Sequence, residues 1–240
     1  SEECATTIRH SLASGRFRDY HILDRPGCGI YTAWNQGLEA LGDRVEFITN
    51  FNVDDRRHPL CLDVQAECLN AFRDKDVAVT DYTYFFKPSR SLPELYAVNS
   101  KRTTALPTIN ARTLIDRNLP HASPLWRSSL HQSSQCGMFD ESYHSAGDAD
   151  FWYRVSRRNK NAFAVISIPL SLYYHNPHGL STRPETAGQS EHSRCTHAQY
   201  QHLMDQIDAV AKPSFLREHL QKGTPENLQI YALASGLDQA

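Results

Sequence analysis

Carboxylates in three short stretches carry most of the chemistry this chain can offer. NFNVDDRRHP (50–59) sets Asp54 and Asp55 just past a strand signal. Two adjacent carboxylates there form a hard oxygen site, suited to Mg²⁺ or Mn²⁺ carrying substrate phosphates. The plainer reading is a solvated acidic turn that caps the next helix. GIYTAWNQG (29–37) opens a helix directly before that strand. Helix N-termini attract phosphate; the alternative is an amphipathic helix with Trp34 in the core. GMFDESYHSAGDADFWYR (137–154) gathers Asp140, Glu141, Asp148 and Asp150 beside aromatic residues. A carboxylate at a helix start, next to apolar bulk, can act as a general base. Asp148 as the N-cap of the FWYR helix is the competing use.

These stretches need a scaffold, and the apolar spacing supplies one. Ile8 and Leu12 mark a helix that stops at Gly15, and YHIL (20–23) reads as a short strand. Ile30, Ala33, Trp34, Leu38 and Leu41 recur at helical spacing up to Gly42. VEFIT (45–49) is a strand. Pro59 suits the first turn of a helix whose apolar side is Leu60, Cys61, Val64, Cys68, Leu69 and Phe72. VAVTDYTYFF (77–86) and AFAVISI (162–168) are strands, and FWYRVSRR is a helix. Residues 87–136 are rich in Pro, Ser, Asn and Arg and predict long loops with short elements. HNPHGLSTRPETAGQSEHSRC (175–195) reads as a loop. Tyr200, Leu203, Ile207 and Val210 mark a last helix ending near Pro213. Strands alternating with helices predict a mainly parallel sheet covered on both faces. Ligands in such sheets bind beyond the carboxyl ends of the strands.

Composition narrows the field. The 240 residues fit one large domain, or a domain with an appendage. Twenty-five Lys and Arg balance 27 Asp and Glu, which argues against a polyanion-steering domain and so against nucleic acid as partner. No apolar stretch approaches the roughly 18 residues of a membrane helix. The six cysteines contain no C-x-x-C pair, so free thiols are expected rather than a zinc ribbon. The twelve histidines are scattered without H-E-x-x-H and are expected mostly at the surface. A charged-then-apolar leader and an Asn-X-Ser/Thr sequon are both absent from these residues, in keeping with a cytosolic setting. There is no P-loop and no G-x-G-x-x-G, which disfavours ATPases and dehydrogenases.

In order and spacing, GIYTAWNQG, NVDD, GMFDE and GDADFWYR resemble the motifs of family 2 glycosyltransferases of the GT-A fold. The resemblance covers about residues 20–182. It implies a GT-A-like α/β domain over 1–182, with 183–240 as a C-terminal loop and helical extension. It implies inverting transfer of a sugar from a nucleotide-diphosphate sugar to an acceptor hydroxyl. The acceptor would be a glycan or lipid-linked glycan in surface polysaccharide or glycoconjugate synthesis. The setting would be cytoplasmic, with peripheral association at the inner membrane face as one option. A divalent cation, Mn²⁺ or Mg²⁺, is the implied cofactor. Asp55 would hold the metal, with Asp54 on metal or ribose and His175 or His178 as a late ligand. Asp148 would be the catalytic base. Asn35, with Asp24 and Arg25 of the DRPGCG loop, falls on the donor side. Asp150, Trp126 and Arg127 fall on the acceptor side, where Trp126, Trp152 and Tyr153 offer sugar-stacking faces; core packing is the expectation for Trp152.

This sequence departs from the family pattern in three places. Asn52 stands where many members have the first Asp of the metal motif. Gly147 replaces the Glu usually paired with the base. The chain opens where the helix after the family's second strand is expected, so a longer parent polypeptide is anticipated. Two rival readings remain open at this level: a non-catalytic carbohydrate-binding scaffold, and a metal-dependent nucleotidyltransferase or phosphatase.

Overall fold

The structure, a computed structural model, describes residues 23, 27–52, 54–87, 91–99, 103–120, 123–177, 179 and 187–209. The helix expected over Ile8–Leu12, most of the YHIL strand, Asp24, Arg25 and His178 lie outside the described residues.

The first described helix, α1 (Ile30–Leu41), turns Tyr31 and Asn35 inward, four residues apart on one face. It ends where expected. Gly42 takes a φ of +54° and donates its N–H to the Leu38 carbonyl, a left-handed stop that suits glycine. Strand β1 (Phe47–Thr49) follows, then the acidic loop, then the short β2 (Arg56–Arg57). Helix α2 (Cys61–Ala71) buries Cys61, Gln65 and Leu69. Strand β3 (Val77–Phe85) is nearly all buried and forms the centre of the sheet. Residues 87–136 hold the expected short elements: α3 (Leu92–Asn99), β4 (Thr103–Thr104), α4 (Ala111–Asp116) and β5 (Leu125–Arg127). Helix α5 (Gly147–Arg158), strand β6 (Phe163–Tyr174) and helix α6 (Ala187–Ala209) complete the fold.

The sheet runs β1-β5-β3-β6-β2, with β4 also on β3. The α/β architecture is the expected one, but the described sheet is mixed. Its longest ladder, β3 with β6, is parallel, whereas β5, β4, β1 and β2 all pair antiparallel. Register shifts between Thr80 and Tyr82 interrupt the central ladder midway along β3.

Helices cover both faces. On one, Val77, Val79, Trp126 and Phe163 meet Tyr31 of α1 and Phe151, Trp152 and Val155 of α5. On the other, Ala78 and Leu125 meet Leu69 of α2. Gln65 joins the second layer to the sheet by donating to the carbonyls of Ala78 and Ser123. Trp126 is 2% exposed and packs edge-on against Trp152 at 5.4 Å. That corrects its assignment as a sugar-stacking residue: such aromatic pairs contribute about 0.5–1.5 kcal/mol each beyond area burial, and this ring has no face left for substrate. Tyr153 is likewise core, with its hydroxyl donating to the Leu114 carbonyl. His131 departs from the expected surface histidines. It accepts from Trp126 Nε1, stacks on Phe151, and burial holds its pKa down at about 4, so it is a neutral core residue.

Helix α6 begins at Ala187, inside the stretch read from sequence as a loop. Its apolar spacing is sparse there, but Cys195 enters the main core and Gln199 accepts from Arg157 of α5. Tertiary contacts form this helix where local pattern does not. Among the described residues, no helix is long and apolar enough to cross a membrane.

Candidate active site

A cleft of about 740 Å³ opens beyond the carboxyl ends of β3 and β6. Its walls come from separate parts of the chain: the loop after β1, the tyrosines that end β3 and β6, residues 117–119, and the starts of α1 and α5. Asp54 and Asp148 both line it, although 94 residues separate them in sequence.

The two neighbouring acids of the first motif part company. Asn50, Phe51, Asn52 and Asp54 line the cleft, whereas Asp55 turns into the protein and is 1% exposed. One Asp55 oxygen accepts the Tyr174 N–H at 3.0 Å, and the other accepts Asn52 Nδ2 at 3.1 Å. This carboxylate therefore staples the acidic loop to β6. Asp54 Oδ2 has Asn176 Nδ2 at 3.5 Å.

The burial of Asp55 has a pH signature. Desolvation pushes its pKa up to about 6, and the Asp54 charge adds to the rise, against the donors from Tyr174 and Asn52. A folded-state pKa above the ordinary value near 3.8 means that the native state favours the protonated acid. That stability is fully present below about pH 4 and is lost as pH rises through about 6. Asp55→Asn cannot ionise; its carbonyl oxygen accepts the Tyr174 N–H, and its amide donates to Asn52 once the Asn52 carboxamide flips. Its melting temperature relative to wild type should therefore rise by several degrees between pH 4.5 and 7.5; a two-unit shift corresponds to about 3 kcal/mol at most. A variant that falls further below wild type at the higher pH would contradict this role.

Asp148 is the second residue of α5 and does not cap it. Its Oδ1 accepts the Tyr31 hydroxyl at 3.0 Å, and its Oδ2 accepts Asn118 Nδ2 at 2.7 Å. Each oxygen keeps a further lone pair, so the carboxylate is oriented without being saturated. Gly147 also finds its reason here. A Cβ at that position would lie 2.8–3.0 Å from the Tyr31 ring, so the side chain absent from position 147 is what lets Tyr31 reach Asp148.

The other candidates fall elsewhere. Asn35 is buried and does not line the cleft: it donates to the Phe139 carbonyl and Glu141 and accepts the Phe139 N–H. It joins α1 to the GMFDE segment, and Thr32 adds a second bond to Glu141. Asp140 holds the Ser142 N–H. Asp150 pairs with Arg154 one turn along α5 and supports that helix. Arg127 is corrected from an acceptor contact to a clamp, because its guanidinium donates to the carbonyls of Lys75 and Leu69 and meets Glu46. His175 is exposed outside the cleft lining and stacks on Phe86 at 5.3 Å; the cleft-lining neighbour of Asp54 on this segment is Asn176.

Sequence reading missed Tyr31, Asn118 and a wall of three tyrosines. Tyr82 and Tyr84 are two apart on β3, and Tyr173 pairs with Tyr84 across the parallel ladder. Their rings meet edge-on at 5.2–6.3 Å, and all three line the cleft. The alternation in DYTYFF carried that signal, because i and i+2 on a strand share a face.

Among the described residues, no cluster of three or more His, Cys, Asp or Glu could hold a metal. One cleft-facing carboxylate among asparagines fits a different arrangement. Mg²⁺ and its relatives bind through one or two carboxylates, with substrate phosphates and water supplying the rest. Asp54 with its carboxamide neighbours Asn50, Asn52 and Asn176 suits a cation that arrives with a diphosphate.

The fold is that of a GT-A-like glycosyltransferase. Among solved structures, the chain is similar to S. aureus TarS 1-349, with a TM-score of 0.55 at 14% identity over 97% of this chain and 59% of that one. The same protein in complex with UDP-GlcNAc gives 0.58 at 14% identity, over 90% and 57%. Its complex with UDP gives 0.54 at 16% identity, over 82% and 52%. The chain thus spans a little over half the length of these structures. At such identities the likeness establishes the fold. No protein-family model and no curated protein sequence matches the chain.

Proposed function

We propose that this chain forms the reaction cleft of an inverting glycosyltransferase that moves a sugar from a nucleoside-diphosphate sugar to an acceptor hydroxyl. The observation that carries the reading is that Asp54 and Asp148 line one cleft in a fold that, in TarS, accommodates UDP-GlcNAc.

A hydroxyl is a poor nucleophile, so a carboxylate must take its proton as it attacks. Asp148 is suited to that role: Tyr31 and Asn118 fix its orientation and leave lone pairs toward the cleft. Asp54 serves the other end of the transferred sugar, beside the diphosphate. A divalent cation held there with Asn52 and Asn176 would offset the charge that builds on the leaving group. Attack from the Asp148 side, opposite the leaving group, inverts the anomeric carbon. The tyrosine wall suits a glycan acceptor, free or lipid-linked, whose apolar sugar faces pack on aromatic rings.

Titration calorimetry with UDP-GlcNAc, in Mn²⁺ and in EDTA, tests the donor side. Binding in Mn²⁺ that weakens at least about tenfold in EDTA is the expected result. Equal binding in EDTA would show that no metal takes part in donor binding. No binding of UDP-, GDP- or dTDP-sugars would remove the donor. Pyrophosphate release in place of nucleoside diphosphate would favour nucleotidyl transfer.

A further inference from the structure

The helix that carries Asp148 has no cap of its own. Ala146 occupies the N-cap position and supplies no side-chain acceptor. Asp148 is turned to Tyr31 and Asn118. The amides leading into the helix are instead filled from α6. Glu191 accepts the backbone N–H of His144 at 2.8 and 2.9 Å, of Ser145 at 2.7 Å and of Ala146 at 3.2 Å. The His144 ring adds a contact at 3.0 Å. Glu191 is 7% exposed. Burial works against its charge, but the donors at 144–146 outweigh burial and hold its carboxyl below the ordinary glutamate pKa. Backbone donors onto an ionised carboxylate are among the stronger hydrogen bonds in proteins.

Glu191 is itself well anchored. Three residues on, the Arg194 guanidinium lies 4.1 Å over the Tyr143 ring. Cys195 is buried in the core, and Gln199 accepts from Arg157. The clamp therefore joins one fixed helix to another. His144 and Ser145, whose amides it holds, line the cleft with Asp148.

We propose that Glu191 is a positioning residue for the base: by fixing the 144–146 turn, it sets the backbone from which Asp148 reaches into the cleft. The proposal rests on Asp148 being the base. Its physical basis is the narrow geometric tolerance of proton abstraction, where a shift of about 1 Å can cost about 100-fold in rate.

The test combines a rate cycle with amide exchange, using UDP release from UDP-GlcNAc by the full-length protein. Glu191→Gln keeps the shape but sets an amide group among N–H donors; Glu191→Ala removes the acceptor. We expect kcat to fall about 10-fold in the first and about 100-fold in the second, with KM unchanged. Hydrogen exchange at amides 144–150 should accelerate in both. In an Asp148→Asn background, Glu191→Ala should lower the residual rate by less than about twofold, because residues acting through one another are not additive. Glu191→Gln keeps the test valid if Glu191→Ala does not fold. The proposal is overturned if exchange accelerates with kcat unchanged, or if the full Glu191 effect persists without the Asp148 carboxylate. It is also overturned if UDP-GlcNAc gives no turnover, or if Asp148→Asn turns over normally; those two outcomes reject the donor or the base itself. Full loss in Asp148→Asn beside wild-type kcat in both Glu191 variants rejects only the positioning role.

Discussion

Asparagine at position 148 is expected to lower sugar transfer by about 10²–10⁴-fold while donor affinity and melting temperature hold. The substitution preserves shape. Its carbonyl oxygen can accept from Asn118, and its amide can donate to the Tyr31 oxygen, in place of the carboxylate bonds of 2.7 and 3.0 Å. What it loses is the capacity to take a proton. The helix does not depend on the charge, because Glu191 binds the amides that lead into it. Asp150→Asn is the control: it removes a partly exposed pair with Arg154, which sets an expected cost of about 0.3–0.5 kcal/mol and little change in rate. Single-turnover rates and thermal melts measure both. A near wild-type rate in Asp148→Asn would put the base elsewhere. Asp140 and Glu141 are poor replacements, since they hold the Ser142 N–H and the Asn35 and Thr32 side chains outside the cleft lining.

The second large effect is expected at Asp54. Asp54→Asn removes the one carboxylate that the acidic loop presents to the cleft. Mn²⁺-dependent affinity for UDP-GlcNAc should fall at least about 10–100-fold, the range that loss of a supporting group alone can produce at a metal site. Asp55→Asn should weaken that affinity much less, because its carboxylate faces Tyr174 and Asn52 rather than the cleft and acts on the metal only through Asn52. Calorimetry on the two variants separates them. The reverse pattern would restore Asp55 as the ligand and require the loop to turn over on binding.

Legibility in the sequence followed the distance over which each feature is decided. Helix α1 and its stop at Gly42 were readable because spacing and one glycine decide them locally. Strands β1, β3 and β6 were readable from apolar runs, although β6 continues through SLYY to Tyr174. Asp54 and Asp55 were found as a pair, but the metal was given to Asp55, whereas Asp54 is the one that lines the cleft and Asp55 is buried. Their difference lies in a backbone N–H contributed by Tyr174, 119 residues beyond Asp55. Asn35 was selected for the right pattern and given the wrong neighbour, since its partners Phe139 and Glu141 come from a loop 104–106 residues on. Tyr31 and Asn118 had no local mark at all. Helix α6 was legible only in its later turns, because its first turns are held by Glu191, Cys195 and Gln199 rather than by a continuous apolar stripe.

A crystal structure of the protein with UDP-GlcNAc and Mn²⁺, the metal located by its anomalous scattering, tests the roles of Asp54 and Asp148 together. The diphosphate and metal are expected against Asp54, with the sugar between them and Asp148. The anomeric carbon should leave room for a hydroxyl about 3 Å from the Asp148 carboxylate. A nucleotide bound outside this cleft, or a sugar whose anomeric carbon faces away from Asp148, would contradict these roles.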